Sequence, residues 1–225
     1  MTTDDRRFLF LLTYGRSGST VVSKLIGSHP GVLIRGENGN MLFHLFKAKE
    51  AARLAARRKV RLDTPDDPWH GFSNINPDAI SADLVRLFTD RVLAPGLNDG
   101  IVGFKEIRHT SNAMSDEDFE SYVKFLIGAF APARIVFLSR KLDSVMKSGW
   151  WKTMRPERVR ELIEGADKRF AKAASRHEEA THVWFEDLTA SEDARRALFS
   201  HANIPYDPAI AEKVLSKRLT HLQKR

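Results

Sequence analysis

The sequence contains no cysteine in 225 residues. This absence excludes disulfides, zinc–thiolate sites, iron–sulfur clusters and thiol nucleophiles. Near the N-terminus the apolar run Phe8–Leu12 is too short for a signal-peptide core or a membrane span. Internal repeats and low-complexity linkers are also absent. We therefore expect one domain over residues 1–225, located in the cytoplasm and without a transmembrane segment.

Acidic residues are in the minority: 29 Asp and Glu stand against 36 Lys and Arg, which gives a formal net charge of +7. Such an excess favours anionic partners, namely nucleic acid, anionic lipid or a small polyanionic cofactor. A generally basic surface would produce the same balance. No stripe of Arg and Lys alternates with aromatic residues, so nucleic acid is not the expected partner.

Continuous apolar runs alternate with segments of helical spacing along the chain. Strands are predicted at 8–14, 32–34, 101–107, 134–138 and 182–185. This alternation predicts parallel strands joined by right-handed crossovers, which is an α/β fold with three αβα layers around a central, mainly parallel sheet. Ligands in such sheets bind beyond the carboxyl ends of the strands. The functional loops are therefore expected directly after the first four strands.

The segment Tyr14–Thr20, YGRSGST, joins the first strand to a helix. Its two glycines allow backbone N–H groups to turn towards an anion at the N-terminus of that helix, so the fold is expected to be P-loop-like. No lysine follows Gly18, as a nucleoside-triphosphatase loop requires, so Arg16 is expected to supply the positive charge and no metal is expected. The predicted phosphate-binding residues are Arg16, Ser17, Gly18, Ser19 and Thr20. An ordinary glycine-rich turn is the alternative.

A second candidate anion site follows the strand at 134–138. Arg140 lies just after this strand, and Ser148 follows eight residues later in a predicted helix, Lys141–Thr153. Steps of four residues from Arg140 through Ser144 to Ser148 place all three on one face if the helix begins early. A guanidinium beside a hydroxyl suits a terminal phosphate. Alternatively, Arg140 only ends the strand and Ser148 lies on the helix surface.

Several of these segments resemble those of PAPS-dependent sulfotransferases, where PAPS is 3′-phosphoadenosine 5′-phosphosulfate. GRSGST after an apolar strand, followed by SHPGV and then GE, resembles the family's 5′-phosphosulfate loop, closest to its tyrosylprotein and bacterial carbohydrate branches. The spacing from Arg140 to Ser148 resembles its 3′-phosphate motif. Gly103–Ile107 (GFKEI) and Trp184–Leu188 (WFEDL) resemble its central strand and its Tyr-Glu-Asp-Leu segment.

The resemblance runs from Phe8 to about Leu188 and has two departures. Lys141-Leu142 replaces the Asp-Pro that often follows the arginine of the 3′-phosphate motif. A glycine-rich Arg-Lys-Gly segment near the C-terminus is missing. The basic residues that would complete the 3′-phosphate site in its place are Lys213, Lys217 or Arg218.

The resemblance implies transfer of a sulfuryl group from PAPS to a hydroxyl or amine, with release of adenosine 3′,5′-bisphosphate. It implies Glu37 as the general base, with Lys105 and Arg16 stabilising the leaving group. A solvated Glu37, or one paired with Arg35, is the alternative to a base, and an edge-strand lysine reaching solvent is the alternative for Lys105. The other candidate bases are His44, His70 and His109.

The expected acceptor is a bacterial small molecule, glycoconjugate or lipid. The predicted helix Met41–Arg58 and the segment 63–76, which is rich in turn residues, are expected to shape its pocket, and 63–76 is the expected flexible segment on the substrate side. Trp69 and the pair Trp150-Trp151 either stack on a ligand or belong to the core. Two other functions fit the same pattern: an ATP- or GTP-dependent kinase or NTPase, and a non-catalytic nucleotide-binding protein.

Overall fold

The apolar runs of the sequence form one parallel sheet in the computed structural model, which describes residues 6–58 and 64–216. The strands are β1 (Arg7–Thr13), β2 (Val32–Arg35), β3 (Ile101–Glu106), β4 (Ala133–Ser139) and β5 (Ala180–Trp184). Their order is β2-β3-β1-β4-β5, and each adjacent pair is parallel. The predicted central parallel sheet is confirmed. Such strands read as continuous apolar runs because helices cover both faces of the sheet.

Helices lie between and after the strands, and the predicted helix Met41–Arg58 is present as Met41–Ala56. Within the described ranges they are α1 (Ser19–Gly27), α2 (Met41–Ala56), α3 (Pro77–Phe88), α4 (Asp116–Ala129), α5 (Leu142–Met146), α6 (Pro156–Arg176), α7 (Phe185–Ala190), α8 (Glu192–His201) and α9 (Pro208–Leu215). No helix in the described part of the chain is long and apolar enough to cross a membrane.

Side chains on β1 alternate between the two faces of the sheet. Leu9 and Leu11 belong to the core cluster that contains the buried residues of α1, α8 and α9. On the other face Phe10 packs against Phe104 and Phe130, with ring centroids 5.2 and 5.3 Å apart. Burial on both faces fixes the register of β1 because a shift by one residue would exchange the two sets of side chains. The layers are therefore helix, sheet and helix, as predicted.

The chain divides into two compact units: one contains the chain up to Gly39 and from Pro95 onward, and the other is Asn40–Ala94. The second unit contains α2 and α3, which pack against each other, and a π-helical turn, Thr89–Leu93. The single domain predicted over residues 1–225 stays a prediction. So does the substrate-side role of 63–76, which contains a 3₁₀ turn, Phe72–Asn74, and whose residue 63 lies outside the described residues.

The predicted helix Lys141–Thr153 is wrong. Helix α5 ends at Met146, Ser148 has an extended backbone with φ −124° and ψ 134°, and a 3₁₀ turn covers Gly149–Thr153. The three residues 140, 144 and 148 therefore do not share one helix face. The break lies next to Trp151, whose buried indole donates a hydrogen bond from Nε1 to the Gly15 carbonyl at 2.8 Å. This tertiary contact outweighs the local helical spacing.

Candidate functional site

The loops that follow β1, β2, β3 and β4 lie at the carboxyl edge of the sheet, as predicted from the topology. Strand β1 is central, with the end of β3 on one side and the end of β4 on the other. The site residues fall into two groups along this edge. One group, which we call the arginine cluster, consists of Arg16, Arg140 and Ser148. The other is the pair Glu37 and Lys105.

The loop after β1 makes a sharp turn before α1. Arg16 and Gly18 both have left-handed backbone conformations, with φ of 69° and 89°. A Cβ at Gly18 would lie 2.3 Å from a ring carbon of Phe185, and one at Gly15 would lie 2.2 Å from the ring of Trp150. The loop therefore adopts its path only because both positions lack side chains.

The start of α1 has the features of an anion-binding site. Gly18 is the N-cap, and no side chain in the described ranges caps this helix end. The first N–H groups of a helix have no intrahelical partner, and the helix dipole favours negative charge there. Ser17 is fully buried, and its Oγ has no hydrogen-bond partner among the described residues. An oxyanion at this point would satisfy both the hydroxyl and the backbone N–H groups.

The arginine cluster is held together by two hydrogen bonds. Arg140 donates from Nη1 to the carbonyl oxygen of Arg16 at 3.0 Å, and Arg16 donates from Nε to Ser148 Oγ at 2.8 Å. The Arg140 guanidinium also lies over the ring of Phe185, 5.1 Å from its centroid. The structure thus brings together the two arginines and the serine that the sequence placed in separate motifs. Two arginines from neighbouring loops favour a multiply charged anion, which would compete for Arg140 with Glu186, whose Oε1 lies 3.9 Å from Arg140 Nε.

Tyr14 and Asp167, whose roles the sequence analysis missed, form hydrogen bonds that hold the backbone of Arg140. The Tyr14 hydroxyl accepts a hydrogen bond from the backbone N–H of Arg140 at 2.8 Å and donates to Asp167 Oδ1 at 3.0 Å, with the Arg140 carbonyl a second acceptor at 3.2 Å. Burial raises the pKa of the Asp167 carboxyl and of the Tyr14 hydroxyl. Asp167 lies on the apolar stripe of α6, four residues after Ile163 and three before Phe170, and this spacing was the available signal.

Glu37 and Lys105 form an ion pair between the loop after β2 and the end of β3. Strand β3 lies between β2 and β1, so Lys105 is not on an edge strand, and its side chain is only 11% exposed, against 41% for Glu37. A buried ammonium requires a charged or hydrogen-bonding partner, and Glu37 supplies one. The pair therefore places a carboxylate and a cation together at the rim of the sheet.

Glu106 is a further residue that the sequence analysis missed. Its buried carboxylate accepts hydrogen bonds from the backbone N–H groups of Asn38 at 3.1 Å and Ile107 at 2.9 Å. These bonds tie the loop after β2 to the end of β3, and so hold Glu37 beside Lys105. A lone glutamate at the end of an apolar strand gave no sequence signal for this role.

The histidines proposed as alternative bases lie in different environments. His109 is fully buried, its Nδ1 lies 3.2 Å from the Thr13 carbonyl oxygen, and burial lowers its pKa to about 4. It is therefore a neutral interior residue that an acceptor molecule would not reach. His44 and His70 are exposed residues of the second unit. Their role as bases stays a prediction.

The remaining sequence candidates are divided between core and surface. Trp151 is buried and bonded to the loop after β1, whereas Trp150 is half exposed with its ring against Gly15. Lys213 is an exposed residue of α9, while Lys217 and Arg218 lie outside the described residues. Across residues 6–58 and 64–216, no group of three or more His, Asp or Glu side chains is arranged to hold a metal ion.

No protein-family model and no curated protein matches the chain. Two solved structures are similar to it over nearly its whole length. The sulfotransferase domain from the curacin biosynthetic pathway has a TM-score of 0.55 at 17% identity and covers 96% of this chain and 80% of its own. The sulfotransferase domain from the Synechococcus PCC 7002 olefin synthase has a TM-score of 0.56 at 13% identity, covering 100% and 86%. The chain therefore has the fold of sulfotransferase domains.

Proposed function

We propose that this chain is a sulfotransferase that transfers a sulfuryl group from PAPS to a hydroxyl or amine of a small-molecule acceptor. The observation that carries the proposal is the arginine cluster beside the N-terminus of α1, with the buried, unpartnered hydroxyl of Ser17 next to it. A 3′,5′-bisphosphorylated nucleotide carries anionic groups at two ends. The cluster combines donors from two loops, which suits such a ligand.

The two ends of the donor would be held by different parts of this edge. Residues Arg16, Ser17, Gly18, Ser19 and Thr20 would bind the 5′-phosphosulfate. Arg140 and Ser148 would bind the 3′-phosphate. The hydrogen bond from Arg140 to the Arg16 carbonyl supports simultaneous engagement of both ends because it joins the two loops.

In the proposed reaction an S–O bond forms to the acceptor oxygen, or an S–N bond to an amine, and the bond from sulfur to the 5′-phosphate oxygen breaks. Glu37 accepts the acceptor's proton. Lys105 and Arg16 stabilise the negative charge that develops on the leaving oxygen, and adenosine 3′,5′-bisphosphate is released. The Glu37–Lys105 pair supports this division of roles because it places a carboxylate and a cation side by side at the edge of the sheet.

The acceptor class is inferred from the two similar structures. One belongs to a biosynthetic pathway and the other to an olefin synthase, which favours a small molecule over a glycoconjugate. A sequence without cysteine fits a reducing compartment such as the bacterial cytoplasm.

Isothermal titration calorimetry tests the donor site. Wild-type protein is titrated with adenosine 3′,5′-bisphosphate without metal and with ATP and Mg²⁺. We expect a clear preference for the bisphosphate, and a preference for ATP–Mg²⁺ would instead support the kinase or NTPase function. A screen with labelled PAPS and a panel of hydroxyl and amine acceptors then tests turnover, since a non-catalytic protein would bind the nucleotide and transfer nothing.

Arg140→Ala is the matching variant for the 3′-phosphate end. Loss of a charged hydrogen bond should weaken binding of the bisphosphate by about 10- to 100-fold. Arg196→Ala is the control, because Arg196 is an exposed residue of α8 in an ion pair with Glu192. An equal loss of affinity in both variants would show that general surface charge, rather than the arginine cluster, binds the nucleotide.

A further inference from the structure

A chain of hydrogen bonds leads from α6 to the arginine cluster. Asp167 Oδ1 accepts from the Tyr14 hydroxyl at 3.0 Å, and that hydroxyl accepts from the backbone N–H of Arg140 at 2.8 Å. The Arg140 guanidinium then donates to the carbonyl of Arg16, whose backbone is left-handed with φ 69°. The path therefore connects α6 to both arginines. Along it, Arg140 and Arg16 are the residues whose side chains are predicted to bind the ligand.

The same carboxylate oxygen has a second partner, Ser139, which directly precedes Arg140 in the chain. The Ser139 hydroxyl also donates to Asp167 Oδ1, and His182 Nε2 lies 2.8 Å from Ser139 Oγ. Tyr14 and Ser139 are both fully buried. The two hydroxyls thus share an acceptor and a degree of burial, and they also interact with each other. Only the Tyr14 hydroxyl is hydrogen-bonded to the Arg140 backbone, so Tyr14 is the residue that links Asp167 to Arg140.

Tyr14 itself is held rigidly by packing. Its ring stacks on Phe170 with centroids 6.2 Å apart and an angle of 9° between the planes. Phe170 follows Asp167 by three residues on α6, so one helix fixes both the ring and the hydroxyl of Tyr14. A hydroxyl with a fixed position is a fixed acceptor for the Arg140 N–H, and the arginine backbone at the end of β4 is set by it.

We propose that Tyr14 and Asp167 are positioning residues that fix Arg140 for recognition of a 3′-phosphate, and so set the selectivity for 3′-phosphorylated nucleotides. The proposal rests on the proposed function. Neither residue contacts the nucleotide itself. Their effect is on the affinity for ligands that carry the 3′-phosphate, relative to ligands that lack it.

The test compares affinities for adenosine 3′,5′-bisphosphate and adenosine 5′-monophosphate by calorimetry in matched variants. Tyr14→Phe retains the ring and removes the hydroxyl, and it should weaken bisphosphate binding by roughly 3- to 10-fold, the value of one neutral hydrogen bond. Monophosphate binding should change by less than about twofold, since it does not use the Arg140 site. Tyr122→Phe is the control, because Tyr122 on α4 is an equally buried tyrosine, and it should keep the wild-type ratio of the two affinities even if its melting temperature also falls.

Asp167 is tested by a pair of substitutions. Asp167→Asn keeps an oxygen that accepts a hydrogen bond from Tyr14, so it should keep the wild-type ratio of bisphosphate affinity to monophosphate affinity. Asp167→Leu fills the space without an acceptor, and should reduce the ratio as Tyr14→Phe does. Equal effects of Asn and Leu would overturn the role of Asp167.

The outcomes separate this inference from the function on which it rests. Wild-type protein that binds both nucleotides equally would contradict the proposed function. Wild-type selectivity that survives in Tyr14→Phe, or that falls equally in Tyr122→Phe, would overturn the positioning role alone. Melting temperatures measured on every variant show which samples are folded, and a Tyr14→Phe protein that fails to fold leaves the decision to the Asp167 pair.

Discussion

Replacing Glu37 with glutamine should separate turnover from nucleotide binding. Glu37 forms an ion pair with Lys105 at the rim of the sheet and takes no part in the two hydrogen bonds that hold the arginine cluster together. Glutamine keeps the shape of the side chain and an oxygen that accepts a hydrogen bond from Lys105, but it is no longer a base. The substitution therefore removes one chemical property and leaves the packing in place.

The expected magnitudes follow from these contacts. Loss of a positioned general base lowers kcat by about 100- to 10,000-fold, which corresponds to about 3–5 kcal/mol in the activation free energy. The Glu37 side chain is 41% exposed, so the ion pair is screened by solvent, and the free energy of unfolding should fall by no more than about 1 kcal/mol. The dissociation constant of adenosine 3′,5′-bisphosphate should stay within about threefold of the wild-type value.

Two assays on the same protein decide the outcome. Formation of adenosine 3′,5′-bisphosphate from PAPS, with an acceptor from the screen, gives kcat, and calorimetry gives the nucleotide affinity. Glu192→Gln is the control because Glu192 is also a partly exposed carboxylate paired with an arginine, but it lies on α8. A kcat within tenfold of the wild-type value, or a loss of nucleotide affinity as large as the loss of turnover, would refute the assignment of Glu37 as the base.

Three further predictions concern the cation, the loop and the buried histidine. Lys105→Met should lower kcat by about 100- to 1,000-fold while circular dichroism shows a folded protein, and near-normal turnover would remove Lys105 from the mechanism. Gly18→Ala should destabilise the fold by about 2–4 kcal/mol in denaturant titrations because of its φ of 89° and the ring of Phe185, whereas Gly128→Ala, in an open helical position, should be neutral or stabilising. Burial lowers the pKa of His109 to about 4, so as the pH falls His109 is protonated in the unfolded protein before it is protonated in the folded protein. The free energy of unfolding should therefore fall by up to about 3 kcal/mol as the pH is lowered from about 6.5 towards 4. His109→Gln should flatten this part of the curve of unfolding free energy against pH.

The sheet was predictable because its strands are buried on both faces. Runs such as Leu9–Leu12 and Ile135–Leu138 are apolar at every position, and only a parallel sheet between two helical layers buries every side chain of such a strand. The topology then places the loops after these strands at one edge. The contact of Arg16 with Arg140 follows from that placement, since β1 and β4 are neighbours.

Ser148 lies beside Arg16, but in a local structure other than the predicted one. The spacing from Arg140 predicted a shared helix face, but the chain leaves the helix after Met146, and Ser148 meets Arg16 from an extended segment. The periodicity of a short segment carries no information about the hydrogen bond from Trp151 to Gly15 in the loop after β1. Contacts of this kind join residues far apart in the chain, and a single sequence gives no distance between them.

The supporting carboxylates were missed for a related reason. Asp167 and Glu106 act through hydrogen bonds to Tyr14 and Asn38, and these partners are 153 and 68 residues away along the chain. Helix α6 also contains Glu157, Glu161 and Glu164, so composition alone does not distinguish the acidic residue that faces the sheet. Such residues are identified from burial and geometry.

The close approach of Trp150 to Gly15 has a consequence for the evolution of this loop. The backbone of Gly15 is one that other residues can adopt, so only the indole ring prevents a larger residue there, whereas Gly18 is constrained by its own conformation as well. Homologues that carry alanine or serine in place of Gly15 should therefore carry a smaller side chain in place of Trp150. The two positions should change as a pair across the lineage, while glycine at position 18 should persist whatever replaces its neighbour Phe185.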